Sequence, residues 1–267
     1  MEKKLFFLSA DIEGVTDVTS WDEAEKGKNG YDESAKQMTA EVAAACQAIL
    51  DTGNDVIVRD GHWTARNIIH RDLPRGVRLM RGWANHPDGM VAGIDEKYAG
   101  VLFIGYHSPG GSNTNPLAHT MDNETLAYMN INGRQASEFT LNRYIAATYG
   151  VAPVFISGDK GICDLAKEEV PDIGTVAVKE CKGSSTFNMH PLDACDAIYE
   201  EVKKAVMAEH PAPVLPKEFD VEIRLIEHSA ARKALWIPGV ELLDGNTIHY
   251  VVKTISEVEF IRNYAMN

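Results

Sequence analysis

Three apolar runs in this chain of 267 residues each break off at residues able to hold a metal. Lys4 to Ala10 runs into Asp11-Ile12-Glu13-Gly14, Val56 to Val58 into Arg59-Asp60-Gly61-His62, and Val101 to Ile104 into Gly105-Tyr106-His107. Short runs rich in Val, Ile and Phe, spaced by helical sequence, read as buried parallel strands. In an open parallel sheet, ligands collect outside the carboxyl ends of the strands. The pattern therefore predicts that Asp11, Glu13, His62 and His107 are neighbours in space, although they are far apart in the chain. Two carboxylates and two imidazoles make the donor set of a zinc-type hydrolytic site.

The same periodicity runs on to about residue 210 as alternating strand and helix. It predicts an α/β fold, with a mostly parallel central sheet flanked by helices and a smaller C-terminal α+β lobe. A helix over 33–52 carries Met38, Val42, Ala45 and Ile49 on one stripe, with Gly53 as its stop. Strands are expected at 55–59, 100–105, 152–157 and 175–179, and a second clear helix over 136–149 before Gly150. A helix bearing Cys195, Ile198, Val202 and Ala205 closes this half. Pro211, Pro213 and Pro216 mark a joint, dividing a metal-binding catalytic domain, 1–210, from a smaller lobe, 217–267. In that lobe Val221, Ile223 and Leu225 alternate with polar residues as in a half-buried strand, followed by a strand over 247–252 and a terminal helix.

Charge and cysteine usage narrow the classes. With 26 basic against 39 acidic side chains the net charge is -13, which excludes a phosphate-backbone binder. The opening apolar stretch is too short for a signal peptide and is interrupted by Asp11, and no later run approaches a membrane span. Cys46, Cys163, Cys181 and Cys195 form no C-x-x-C pair, so the expectation is reduced thiols and a cytoplasmic protein.

Each part of the constellation also has a plainer explanation. Asp11 and Glu13 sit two apart, so in extended backbone both face one cation, though an acidic loop after a strand would look the same. Gly14 lets the backbone turn closely around the site. A lone histidine after a strand is commonly structural. Asp60 improves the case for His62, because a carboxylate can orient a ligating imidazole. Gly105 to Gly111 lacks the Walker spacing and its Lys, and reads as a mobile or substrate-facing loop, not a phosphate cradle. His119, just beyond, is either an exposed loop residue or, beside a metal-activated water, a proton carrier or transition-state stabiliser. Glu138 opens a helix, where a first-turn Glu is common for dipole reasons alone. The other six histidines have no matching context.

These pieces together resemble the bacterial zinc D-aminopeptidases of the dipeptide-transport operon type (DppA-like). Ser9-Ala10-Asp11-Ile12-Glu13-Gly14 is similar to that family's S-x-D-x-E-G signature. Asp60-Gly61-His62, Gly105-Tyr106-His107, Ala118-His119-Thr120-Met121 and Asn132 to Glu138 follow in the family order, as do Ile156 to Asp159, Val178-Lys179 and Trp236 to Glu241. The resemblance spans nearly the whole chain. It implies a dinuclear zinc site, two Zn2+ per chain, in which Asp11 bridges both metals. Glu13 and His107 would complete one zinc and His62 and Glu138 the other, with His119 in the catalytic position. It also implies short peptide substrates with an N-terminal D-residue, hydrolysed by a bridging water, and a ring-shaped homo-oligomer, a decamer.

One stretch departs from the pattern. After Lys179 the relatives carry an Arg in a loop before the next helix, whereas here 180–189 has Lys182 as its only base. Lys does not replace a bidentate Arg fork, so a loop that read a substrate carboxylate would read it differently. The long segment from Asp17 to Tyr31, with Trp21, is a second candidate for shaping the pocket. Three rival functions remain: an amidase or esterase using the same metal site on another small molecule, a Mg2+-nucleotide transferase, and a non-catalytic binding protein.

Overall fold

The computed structural model describes residues 3–266. In chain order the elements are β1 (Leu5–Ala10), α1 (Trp21–Ala24), α2 (Tyr31–Asp51), β2 (Asp55–Asp60), β3 (Arg78–Met80) and β4 (Val101–Tyr106). There follow β5 (Leu126–Ile131), β6 (Arg134–Gln135), α3 (Glu138–Thr148), β7 (Pro153–Asp159), α4 (Lys160–Glu169), β8 (Gly174–Lys182), β9 (Ser185–Asn188) and α5 (Pro191–Met207). The chain closes with β10 (Phe219–Leu225), α6 (His228–Ala234), β11 (Glu241–Leu242), β12 (Thr247–Val252) and α7 (Ile255–Met266).

Among the described residues, one sheet has the order β3-β2-β1-β4-β7-β8-β9, parallel throughout except for the antiparallel edge strand β9. The expected α/β class, with its mostly parallel central sheet, is what the chain adopts. Alternating side chains feed two separate cores. Phe6 and Leu8 of β1 pack with Met38, Val42 and Ile49 of α2 and Ile198 and Val202 of α5. Phe7, on the other face, packs with Phe103, with Phe139 and Ile145 of α3 and with Ile162 of α4. Coverage on both faces is why the strands read as unbroken apolar runs, β4 being buried at every position.

A second, antiparallel sheet has the order β11-β12-β10-β5-β6. It is built from both sides of the Pro-rich joint, because β5 and β6 pair with β10 across a wide gap in sequence. Neither strand was expected. Their alternation is short and half-exposed, and the turn residues Asn132 and Gly133 were the one local signal for a hairpin. The segment 180–189, expected as a loop, is the β8–β9 hairpin. No helix among the described residues is long and apolar enough to cross a membrane.

The chain builds β2 and β3 on one side of β1, then crosses to build β4 on the other. The reversal beside β1 is the switch point at which open α/β sheets bind ligands. The register is tight there. Ala10 lies beside both Asp60 and Ile104, so Asp11 emerges between the ends of β2 and β4. Asp11 N–H donates to Ile104 C=O at 2.8 Å and Gly14 N–H to Gly105 C=O at 2.8 Å. A Cβ at Gly14 would sit 1.7 Å from the Tyr106 carbonyl oxygen, and Gly105, at φ +72°, would carry one 2.3 Å from the Asp11 carbonyl.

Gly14→Ala should therefore force β1 and β4 apart, lowering stability by about 1–3 kcal/mol or more, as overpacking of a rigid core does. A urea melt that leaves the midpoint unchanged would refute this close-approach account.

Candidate metal centre and active site

Five sequence-selected side chains converge at that switch point, four delivered by the ends of strands and one by the start of a helix. Asp11 and Glu13 leave β1, His62 follows β2 and His107 follows β4. Glu138 is the first residue of α3, whose N-cap Ser137 accepts from Thr140 N–H at 3.1 Å. The helix start suits a carboxylate electrostatically. His119 joins them from the loop before β5. All six are at least nine-tenths buried.

The contacts have a common logic. His62 Nδ1 lies 3.1 Å from Asp11 Oδ1 and 3.2 Å from Glu13 Oε2. His107 Nε2 lies 3.6 Å from both Asp11 Oδ2 and Glu138 Oε1. His119 Nε2 lies 3.5 Å from Glu138 Oε1. Each ring turns its other nitrogen to a backbone carbonyl: His62 Nε2 to Ala24 at 2.7 Å, His107 Nδ1 to Ser108 at 3.0 Å and His119 Nδ1 to Leu117 at 2.9 Å. An outer N–H held by a carbonyl fixes the tautomer whose inner nitrogen is a lone pair. Lone pairs facing carboxylate oxygens repel unless a proton or a cation lies between them.

The orphaned atoms and the titration directions point the same way. Glu13 Oε2 and His107 Nε2 are buried without a hydrogen-bond partner. Burial opposes charge on His107, but Glu138, Glu13 and Asp11 outweigh it and push its pKa up to about 10. Burial raises Glu138, while His107 and His119 overcome that and pull it down to about 2. Burial and the charge of Glu13 push Asp11 well above the usual carboxylate range. Burial, then His107, lowers His119. The cluster thus calls for positive charge. Asp11, Glu13 and His107 offer donor atoms all within 4.8 Å of one another, and so do His107, His119 and Glu138. Buried oxygen and imidazole donors of this kind fit zinc.

Other parts differ from expectation. Asp60 does not orient the His62 ring. It accepts from Asn67 N–H at 2.6 Å, Ile68 N–H at 2.8 Å and Asn67 Nδ2 at 2.8 Å, fixing the loop that carries His62, while the ring is held by Ala24 of α1. Asp60 is buried at the end of β2 and binds the nearest backbone donors. The Ser108–Gly110 segment is buried, with Ser108 N–H donating to Asp159 at 2.8 Å, so it is a rigid support and not a substrate-facing loop. None of the residues of the β8–β9 hairpin lines the cavity. The Asp17–Tyr31 segment does shape it, through Trp21, Ala24 and Glu25.

Sequence reasoning gave no role to Lys179. It is 2 % exposed, and its ammonium donates to the carbonyls of Glu13 at 2.6 Å, Val15 at 3.1 Å and Val18 at 2.5 Å. It clamps the loop that presents Glu13. Glu41 of α2 supports the same loop by accepting from Thr16 N–H at 3.1 Å, with its second oxygen unpaired. Val178-Lys179 follows the family order, but a lysine within a strand gives no sign in one sequence of what it clamps. The cavity in front of the cluster has a volume of about 770 Å³ and reaches Trp63, Trp83 and His86 on one side and Glu259 and Arg262 of α7 on the other.

This is the fold and buried donor set of a metallohydrolase. The model of peptidase family M55, the D-aminopeptidases, matches residues 5–262, and the chain belongs to that family. A D-aminopeptidase of Bacillus subtilis (strain 168) is 28 % identical over 245 residues, covering 90 % of this chain and 88 % of the relative. The solved structure of DppA from Bacillus subtilis, a Zn-dependent D-aminopeptidase and self-compartmentalizing protease, superposes with a TM-score of 0.89 at 25 % identity over 98 % of each chain. The resemblance read from the motifs stands, and the chain is a hydrolase of this class.

Burial raises the Glu41 carboxyl from 4.5 to about 7, against the pull of Thr16 N–H, Gln37 and Lys179. A carboxyl that holds its proton more tightly when folded destabilises the fold as pH climbs between those two values, and the loss persists above them. Glu41→Gln should raise stability at pH 8 by about 1–3 kcal/mol and flatten the urea-midpoint profile between about pH 4.5 and 7. An unchanged profile would contradict this assignment.

Proposed function

We propose that this protein hydrolyses short peptides bearing an N-terminal D-residue, at a dinuclear zinc centre. Asp11 would bridge the two ions, Glu13 and His107 would complete one, and His62 and Glu138 the other. The observation that carries the reading is the facing of inner imidazole nitrogens onto buried carboxylates at 3.1–3.6 Å, with every outer nitrogen held by a carbonyl. Family membership and the likeness to the Bacillus subtilis D-aminopeptidase support the D-preference and the metal. When bound, paired zinc ions lower the pKa of a shared water, polarise the scissile carbonyl and offset oxyanion charge.

The chain's own residues do the rest. His119 keeps Nε2 available for a proton while Leu117 C=O holds Nδ1, and its lowered pKa leaves it neutral at pH 7. It can take a proton and deliver it to the leaving amine. Its ring is stacked on His107, with centroids 4.2 Å apart, and meets Trp21 at 5.2 Å and 66°, so it reaches the cavity in one orientation. The free α-amino group of an aminopeptidase substrate needs a metal or an acidic partner, and Glu25 and Asp122 of the cavity lining are carboxylates outside the donor cluster. Trp21, Ala24 and Met90 line the cavity beside the cluster and give it apolar surface.

The DppA relative is self-compartmentalizing, and a homo-oligomeric ring, a decamer, is proposed here too. Exposed Trp236 and Phe260, at 84 % and 64 %, supply apolar contact surface, and sedimentation velocity at the monomer mass would refute the assembly. The four unpaired thiols suit a reducing compartment, and the cytoplasm is the one proposed.

The deciding experiment pairs metal content with hydrolysis of D-Ala-D-Ala and L-Ala-L-Ala. About two zinc ions per chain and faster D-peptide cleavage are expected. His119→Ala should keep the metal and lose about 10²–10⁴-fold in kcat. Zinc without peptide cleavage would move the substrate to other amides or esters. A metal-free protein that stays inactive with added zinc would sink the proposal.

A further inference from the structure

The cavity in front of the cluster is strongly acidic. Besides the carboxylates of the cluster itself, Glu25, Asp122, Glu124 and Glu259 line it. Among the described residues, Arg262 is the one Lys or Arg side chain in that lining. It lies on α7, in the C-terminal lobe, and is 4 % exposed. Its Nη2 is bonded to the Glu259 carboxylate, its Nε lies 3.4 Å from Glu259 Oε1 and its Nη1 3.3 Å from the Met266 sulfur. A guanidinium carries more N–H donors than these contacts use, and a thioether is a weak acceptor. Glu259 therefore holds the fork by one edge and leaves the Nη1 side without a strong acceptor. Burial works against its charge, but Glu259 keeps it cationic, and Glu138 of the cluster is near enough to add to that effect.

A peptide substrate presents two charged ends. Its ammonium has acidic partners throughout this cavity. Its carboxylate is repelled by the acidic side chains of the lining, Arg262 is the one Lys or Arg there to receive it, and a planar guanidinium fork is the group that binds a carboxylate bidentately. Two extended residues span about 7 Å, so only a dipeptide places its carboxylate one residue beyond the scissile bond.

Resting on the D-aminopeptidase reading above, we propose that Arg262, set by Glu259, takes the substrate's C-terminal carboxylate, making this enzyme selective for dipeptides over amides and longer peptides. The specificity determinant is thus supplied by the C-terminal helix. The β8–β9 hairpin does not supply it.

Arg262→Met alone would leave Glu259 buried and unpaired. The test therefore uses the double variant Glu259→Gln/Arg262→Met together with Arg262→Lys, which keeps the charge but loses the fork. Both are compared with wild type on D-Ala-D-Ala and on D-alaninamide. Wild type should prefer the dipeptide. In the double variant the ratio of kcat/KM for dipeptide over amide should fall about tenfold or more, through KM rather than kcat, with Arg262→Lys intermediate. A purely structural ion pair would lower both substrates equally and leave the ratio unchanged, overturning the assignment. If the double variant does not fold, an unchanged ratio in Arg262→Lys overturns it equally. Wild type that cleaves neither compound would overturn the aminopeptidase reading itself.

Discussion

Buried negative charge governs this molecule. Asp11, Glu13 and Glu138 are shut away from water at one end of a parallel sheet, each 2–4 % exposed. Carboxylates so placed are tolerated only where protons, cations or donors meet them. Three imidazoles face them, and each is steered by a carbonyl on its far side. The carbonyls come from α1, from the turn after β4 and from the loop that leads to β5, so the placement of whole elements depends on how this charge is answered.

Backbone proximity makes that concentration possible. The ends of β1 and β4 close to hydrogen-bonding distance because Gly14 and Gly105 have no Cβ to keep them apart. Lys179 then ties the following loop by three carbonyls, and Glu41 takes the Thr16 amide. Neither side chain lines the cavity. They fix Glu13 from behind, which a site built on a loop requires. The second sheet has an analogous part: β5 and β6 lead directly into Ser137 and Glu138, and α7 returns to wall the cavity with Glu259 and Arg262. The two sheets thus meet at the chemistry.

Much of this was legible in one sequence. β1, β2 and β4 were visible as apolar runs because strands buried on both faces must be apolar throughout. Their endings named Asp11, Glu13, His62 and His107, and the joint order of the motifs added His119 and Glu138. Asp60 shows where the reading went wrong: a carboxylate two residues from a histidine was expected to orient its ring, yet it binds the amides of Asn67 and Ile68. Proximity in sequence did not say which donor would be nearest in space. β8 was expected at 175–179, but its antiparallel partner β9 and the strands β5 and β6 were missed because half-exposed antiparallel strands carry weak periodicity.

The sequence by itself determined the class of fold and the donors that gather at the switch point, because strand burial and ligand chemistry are written locally, as periodicity and residue type. Only the tertiary structure decided how those donors are held and what surrounds them: Ala24 behind His62, Lys179 behind Glu13, and Arg262 across the cavity. These pairings join residues distant in the chain, and their geometry exists only once both cores have packed.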